Sequence, residues 1–388
     1  MRENSESKKP VIAVIGLKGF PAYGGSARAG ENMMAYLKDE FHFVVFNSKS
    51  HTTRKSGIYD GVQQIVFRKC FISSLNTLYY YLLATFYCLF RGGFDVVHVF
   101  HVDAAFIVPL LRLRYRVVSG HRARPQFADK WNPLVRHYFR FMEWLFFKMP
   151  ADVVTSVNRE VVEIFGSRTR RHILYIPNGI DMANVRDLPA VEEKGYALFA
   201  SGRIIPAKGA HLMLEALREI GYDGKALVIG NRDHSPEYAQ KLEKMAASLD
   251  VSFMDIIKDK KELMARVKNA GMFVFPSYHE GMSNMLLEAA SLQVPLICSD
   301  IPGNRQVFND DETFFFRSGD ASDLAGKIRY VLDHPGEARK VARKGYERLE
   351  KEYNWEHLSR RYAGIYDWLI QNKKPLNRGD YFPVEGRL

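Results

Sequence analysis

Met272-Phe-Val-Phe-Pro-Ser-Tyr-His-Glu280-Gly-Met-Ser-Asn-Met-Leu-Leu-Glu288 is a strand, a turn and the first turns of a helix in seventeen residues. Four apolar residues form the strand, Pro276 to Gly281 break it, and Ser283 is a good N-cap for the helix. Working outward, short β-branched runs alternate with helical patterns along the whole chain. Strands are expected at 11–15, 43–46, 65–67, 95–99, 116–118, 153–156 and 173–176, and again at 197–201, 226–229, 251–253, 272–275, 296–298 and 313–316. This alternation is the mark of parallel sheets with crossover helices, so each half of the chain reads as a doubly wound α/β domain.

A chain of 388 residues is long enough for two cores. The segment Pro177 to Lys194 holds Pro177, Gly179, Pro189 and the cluster Glu192-Glu193-Lys194 and reads as a linker. The expected division is residues 1–185, 186–352 and a terminal part, 353–388, whose helix Trp355–Asn372 crosses back to the first domain. Cys70, Cys88 and Cys298 have no framework or metal-knuckle spacing. The polar N-terminus reads as no signal peptide, so a cytosolic protein is expected.

The net charge of +11 is confined to the first half: residues 1–185 carry 25 Lys and Arg against 14 Asp and Glu, and the remainder balances at 30 each. Nine basic residues fall in 112–148 against Asp129 and Glu143, interleaved with Trp131, Tyr138, Phe139, Phe141, Trp144, Phe146 and Phe147. That mixture suits an anionic membrane surface, where each basic residue contributes about 1 kcal/mol, possible peripheral contact being weighed against a nucleic-acid groove and a solvated face over a buried aromatic stripe. Residues 71–90 carry no charge, but Ser73, Ser74, Asn76 and Thr77 favour a buried or membrane-resting helix over a span.

Function is sought in the loops at the carboxyl ends of the strands. After the first strand comes Gly16-Leu-Lys-Gly-Phe-Pro-Ala-Tyr-Gly24-Gly25, glycines that let backbone amides approach a phosphate at a helix start. Its spacing departs from G-x-G-x-x-G, which argues against a dinucleotide enzyme. In Ser201-Gly202-Arg203-Ile-Ile-Pro-Ala-Lys208-Gly209 two cations can reach one diphosphate, Arg203 as a fork and Lys208 as a point charge. Glu280 lies in the third loop, and Glu288 sits five residues into its helix, about 7.5 Å along the axis. Free amides near Met282–Asn284 lie between them.

Taken together, Glu280 and Glu288 with seven residues between, the Gly-Arg…Lys-Gly loop at 202–209, Gly24-Gly25 and Pro177-Asn-Gly-Ile-Asp181 resemble the retaining GT-B glycosyltransferases of family four; the opening loop is similar to a bacterial rhamnosyltransferase-like subgroup. The resemblance implies two Rossmann-like domains facing a central cleft and transfer from a nucleoside-diphosphate sugar, with UDP slightly preferred. It implies a saccharide or polyprenyl-linked acceptor, bacterial surface polysaccharide synthesis, and no metal or other cofactor. Carried over residue by residue, Glu288 takes the ribose, Arg203 and Lys208 the diphosphate, and Glu280 with Gly281, Met282, Ser283 and Asn284 the donor sugar and phosphates. Gly24 and Gly25 close over the diphosphate, and Ile257 reads the base. His121, with His98 and His101 as competitors, is the cleft histidine, and Arg122 and Asn178 lie on the acceptor side. Where the family has Gly-x-x-Glu this chain has Gly303-Asn-Arg-Gln306, and Asp255 stands near the position of a missing strand-end glycine.

Two rivals share parts of this pattern. A GT-B nucleotide-sugar epimerase would use the same cleft without an acceptor. A basic nucleic-acid-binding protein would use 112–148, but it has no use for the glutamates or glycine loops, so no nucleic-acid partner is expected.

Overall fold

The computed structural model describes residues 9–17, 19–21, 25–122, 124, 126, 132–169 and 172–377. It divides into two compact units, one made of the chain up to Pro177 together with the segment from Trp355, the other of Asn178–Asn354.

The first unit holds β1 (Val11–Ile15), α1 (Gly25–Leu37), β2 (His42–Ser48), β3 (Gly57–Tyr59), β4 (Val62–Phe67), α2 (Asn76–Arg91), β5 (Val96–Val99), α3 (Val108–Leu111), β6 (Arg116–His121), α4 (Pro133–Lys148), β7 (Val153–Ser156), α5 (Arg159–Gly166) and β8 (Ile173–Tyr175). Among the described residues its sheet runs β3-β4-β2-β1-β5-β6-β7-β8, parallel throughout except for β3. Strand alternation splits β1 between two cores. Ile12 and Val14 join Met33 and Leu37 of α1, while Ala13 and Ile15 join Tyr80, Tyr81 and Phe146 on the other face. All thirteen expected strands are present, and β3 is additional. It is an edge hairpin turned at Asp60 (φ 54°) and Gly61 (φ 82°), the two left-handed residues that a tight hairpin of this twist needs.

The second unit continues with β9 (Ala197–Arg203), α6 (Ala210–Glu219), β10 (Ala226–Asn231), α7 (Pro236–Met245), β11 (Val251–Met254), α8 (Lys260–Lys268), β12 (Met272–Phe275), α9 (Asn284–Ser291), β13 (Leu296–Ser299), α10 (Pro302–Arg305), β14 (Phe314–Phe316), α11 (Ala321–Asp333) and α12 (Pro335–Glu352). Its sheet is wholly parallel, in the order β11-β10-β9-β12-β13-β14. The order reverses direction between β9 and β12, which makes that point, at the carboxyl ends of the strands, the natural ligand crevice of a doubly wound sheet. The 3-10 turn Met182–Val185 packs on α8 and α9.

The last helix, α13 (Trp355–Asn372), packs on α1 within the first unit. Trp355, Leu358, Tyr362, Tyr366 and Leu369 are buried in the same core as Ile12 and Val14. The segment 71–90 forms α2, and among the described residues no helix is long and apolar enough to cross a membrane.

Candidate functional site

In the second unit the loops after β9, β12 and β13 meet at the switch point. Gly209 starts α6 at φ +73°, and a Cβ there would stand 2.1 Å from the Pro276 carbonyl oxygen, so only glycine lets the loop after β9 lie against the loop after β12. Tyr278 N donates to Ala207 O at 3.0 Å, which laces the same two loops. Lys208 Nζ then reaches Glu280 Oε1 at 2.5 Å. Arg203, at the end of β9, is exposed, with no ion pair or hydrogen bond from its side chain among the described residues. The loop therefore carries an exposed guanidinium, unpaired among the described residues, and an ammonium already oriented by a carboxylate.

The far side of Glu280 is fixed by α10. A Cβ on Gly303 would come within 2.3 Å of Glu280 O, so this helix start abuts the Glu280 backbone. Gln306 Nε2 donates to Gly281 O and, at 3.3 Å, to Gly303 O. The amide that replaces the family's carboxylate thus acts as a donor that clamps the loop, a job an ionised carboxylate cannot do. Asn178 is held here as well, its backbone N 3.1 Å from Met282 Sδ and its Nδ2 donating to Met282 O at 3.3 Å.

Ser283 takes the N-cap position of α9 in extended conformation (φ −87°, ψ 125°), but its side chain makes no capping bond; the turn is set instead by the Gln306 and Asn178 contacts on either side of it. Glu288 lies on the buried side of α9 with its Oε2 2.5 Å from Lys260 Nζ. Lys260 opens α8, capped by Asp259, which accepts from Lys261 N at 2.8 Å and Glu262 N at 3.2 Å. Ile257 is half-buried in the segment just before that cap. Sequence reasoning missed Lys260, Met282's tie to Asn178, and the donor role of Gln306. Only the last left a signal, the amide at an acidic position.

In the first unit His121 ends β6 and is buried between Phe146 and Phe147. Its Nε2 is 3.0 Å from Glu143 Oε1 and its Nδ1 is 3.5 Å from Ser156 Oγ. Glu143 also accepts from Arg124 Nε at 3.0 Å and Gln126 Nε2 at 2.9 Å. Burial works against the Glu143 carboxylate, yet the hydrogen bond and charge of His121, with Arg124, outweigh it and hold its pKa below the ordinary value. His98, on β5, has Nδ1 2.8 Å from Tyr366 OH. Burial first, and the Arg122 charge second, push its pKa well down. His101 is 3.8 Å from Asp103.

Arg122 is buried without a carboxylate. Nη2 donates to Tyr362 OH at 2.5 Å, and the guanidinium carbon lies 5.0 Å from the Phe100 ring centroid and 5.6 Å from that of Tyr362. Its Nε and Nη1, together with His98 Nε2 and Ser119 Oγ, have no hydrogen-bond partner among the described residues. Two of these atoms meet at Gly120, whose added Cβ would stand 3.6 Å from each of Arg122 Nε, His98 Nε2 and Thr155 Oγ1. Gly25 opens α1; Gly24 lies outside the described residues, as do Asp129, Lys130 and Trp131.

Residues 182–348 match the family model of glycosyl transferases group 1. Over 219 residues the chain is 31% identical to a glycogen synthase of Mycobacterium tuberculosis, covering 54% of this chain and 52% of that protein. Over 207 residues it is 28% identical to the capsular polysaccharide biosynthesis glycosyltransferase CapM of Staphylococcus aureus, covering 48% of this chain and 52% of the relative. The chain thus spans about half the length of these curated relatives. Among solved structures, HepE of Anabaena in complex with UDP superposes with a TM-score of 0.72 at 13% identity, over 92% of this chain and 99% of that one. Two parallel Rossmann-like sheets of this kind are the GT-B fold, and within it residues 182–348 are similar to the glycosyl transferases group 1 domain.

Proposed function

We propose that the chain transfers a sugar from a nucleoside diphosphate to a saccharide or lipid-linked saccharide acceptor with retention of anomeric configuration, in the synthesis of a bacterial surface polysaccharide. The observation that carries this reading is the Lys208–Glu280 pair at the switch point of the second sheet, in the loop that also carries Arg203, exposed and unpaired among the described residues. Arg203 and Lys208 take the diphosphate and stabilise the charge it gains as the glycosidic bond breaks. Glu280, Gly281, Met282, Ser283 and Asn284 take the sugar and phosphates, Glu288 the ribose, and Ile257 the base. The acceptor hydroxyl attacks from the face that the diphosphate leaves. With two side-chain cations on the phosphates, the reaction needs no metal ion, and its rate is expected to be unchanged in a chelator.

The relatives' roles in polysaccharide synthesis and the UDP bound to HepE support this class of donor, UDP first. On the acceptor side, Arg122 with two nitrogens unpartnered among the described residues is suited to an anionic group of the acceptor, and His121 is held by Glu143. Asn178, tied to Met282, steadies the donor loop and offers its remaining oxygen to the acceptor. A thermal-shift series with UDP-, GDP- and dTDP-sugars tests the donor, because a ligand bound only by the native state raises the melting point. No shift with any of them, or a product anomer inverted from the donor, overturns the reading. Conversion of donor alone to a second sugar would favour the epimerase instead.

A further inference from the structure

Among the described residues, thirteen of the eighteen exposed large apolar side chains fall between Phe71 and Trp144, so the first unit is wet on one apolar face. That face is built by three adjoining elements. In α2 the buried side is Tyr80, Tyr81, Ala84, Thr85 and Cys88; the opposite side, Leu75, Leu78, Tyr79, Phe86 and Phe90, is exposed. In α4 the exposed stripe is Leu134, Tyr138, Phe141 and Trp144, spaced at three and four residues as one helix face requires. Leu110 and Leu113, at the end of α3, are exposed too, and the 3-10 turn Val102–Ile107 that leads into α3 packs against both α2 and α4. Tyr81 OH of α2 donates to Asp103 of that turn at 3.0 Å, which fixes the three as one layer.

Among the described residues the exposed charges of α2 and α4 have one sign, and Asp103 of the joining turn is half-buried and accepts from Tyr81. The helix α2 contains no acidic residue, and the only one in α4, Glu143, is buried under His121 and Arg124. Arg91, Arg140 and Lys148 are exposed and carry no ion pair among the described residues. Exposed apolar side chains grouped on one face and rimmed by polar residues mark a protein or membrane interaction site. Aromatic residues with a basic rim settle at lipid headgroups, the aromatic bodies in the acyl boundary and the cations on anionic phosphates.

We propose that the outer face of α2, the end of α3 and α4 docks on an anionic lipid bilayer, at a leaflet facing the nucleotide-sugar pool, and so presents the first unit to a lipid-linked acceptor. The proposal deepens the acceptor reading above and rests on it for its purpose, while its geometry stands on the first unit alone. Charge complementarity selects the occupant, since a protein partner would need an acidic apolar surface of matching shape and a bilayer needs only anionic headgroups.

The test is flotation of the full chain with vesicles of phosphatidylcholine alone and of phosphatidylcholine with phosphatidylglycerol. Binding is expected only to the second, weakening with salt. Arg140→Glu with Lys148→Glu should weaken it roughly a hundredfold or more, at about 1 kcal/mol for each basic residue removed and as much again for each acid added. Phe90→Ser with Phe141→Ser should abolish it, with an unchanged melting point because both side chains are exposed. Quenching of Trp144 by brominated lipid should be lost in Trp144→Phe. Absence of binding to either vesicle, equal binding to both, binding that survives Phe90→Ser with Phe141→Ser, or self-association in place of vesicle binding overturns the proposal. Nucleotide binding by the second unit is measured separately, so vesicle binding without any nucleotide-induced shift would sink the transferase reading and leave this surface standing.

Discussion

Lys208 Nζ lies 2.5 Å from Glu280 Oε1 although 72 residues separate them in sequence. The contact exists because Gly209 lets one strand-end loop lie on the next, and it orients an ammonium in the loop that also carries the exposed Arg203 guanidinium. Removing either partner is expected to lower sugar transfer about a hundredfold, the order seen when one charge-stabilising group is taken from an active site. Stability should change little, since partly exposed ion pairs contribute about 0–1 kcal/mol. Rates for Lys208→Ala and Glu280→Ala, each with its melting curve, check this; near-normal turnover in either would place the chemistry elsewhere.

Glu288 and Lys260 behave differently, because the carboxylate is buried. Lys260→Met leaves it without its cation and should cost about 1–3 kcal/mol of stability, read from urea unfolding of the second unit. Glu288→Gln keeps the shape but weakens acceptance of the ribose hydroxyls, so UDP should bind roughly tenfold more weakly. Equal UDP affinity in Glu288→Gln would take the ribose away from this residue.

Two glycines of the donor loops should separate cleanly. Gly209→Ala forces a side chain into a left-handed position and against the Pro276 carbonyl, so it should destabilise by more than about 1 kcal/mol and remove the nucleotide-induced thermal shift. A Cβ at Gly281 meets nothing within 4 Å, and Gly281→Ala should alter stability by less than about 0.5 kcal/mol.

The first unit should weaken in mild acid through His98. Its folded pKa is depressed, chiefly by burial and then by Arg122, so the unfolded chain takes up the proton first. The stabilisation is complete above the unfolded pKa of about 6.5 and is lost as pH falls from there toward the folded value. All four tryptophans, including the buried Trp355 and Trp368 of α13, lie in segments assigned to this unit. Tryptophan-monitored unfolding across pH 7 to 5 should therefore show the decline, and His98→Gln should flatten it. A slope unchanged in the variant would assign the effect to another group.

Much of the fold was legible because its strands are runs of buried apolar residues such as Ile12–Ile15 and Met272–Phe275, whose pattern survives any tertiary context. The edge strand Gly57–Tyr59 was not, being three residues long with an exposed Ile58; its Asp60-Gly61 turn was the available clue. The loops carrying Arg203, Lys208, Glu280 and Glu288 could be found from glycines and charges at strand ends. Their partners could not. Lys260 is one lysine among several around the start of α8, and His121 meets Glu143 across 22 residues of sequence, a contact that no local spacing encodes.

The core that contains Ile12 and Val14 also contains Trp355, Tyr362 and Tyr366. On a ribosome, which issues the chain from the N-terminus, one side of the first sheet must therefore wait with the cover of α1 but without that of α13 while the whole of Asn178–Asn354 is made. Truncation before Trp355 would strip the earliest-made half of the cover of α13 rather than shorten the latest-made one, and the order of synthesis is the reverse of the order in which the two lobes can be finished.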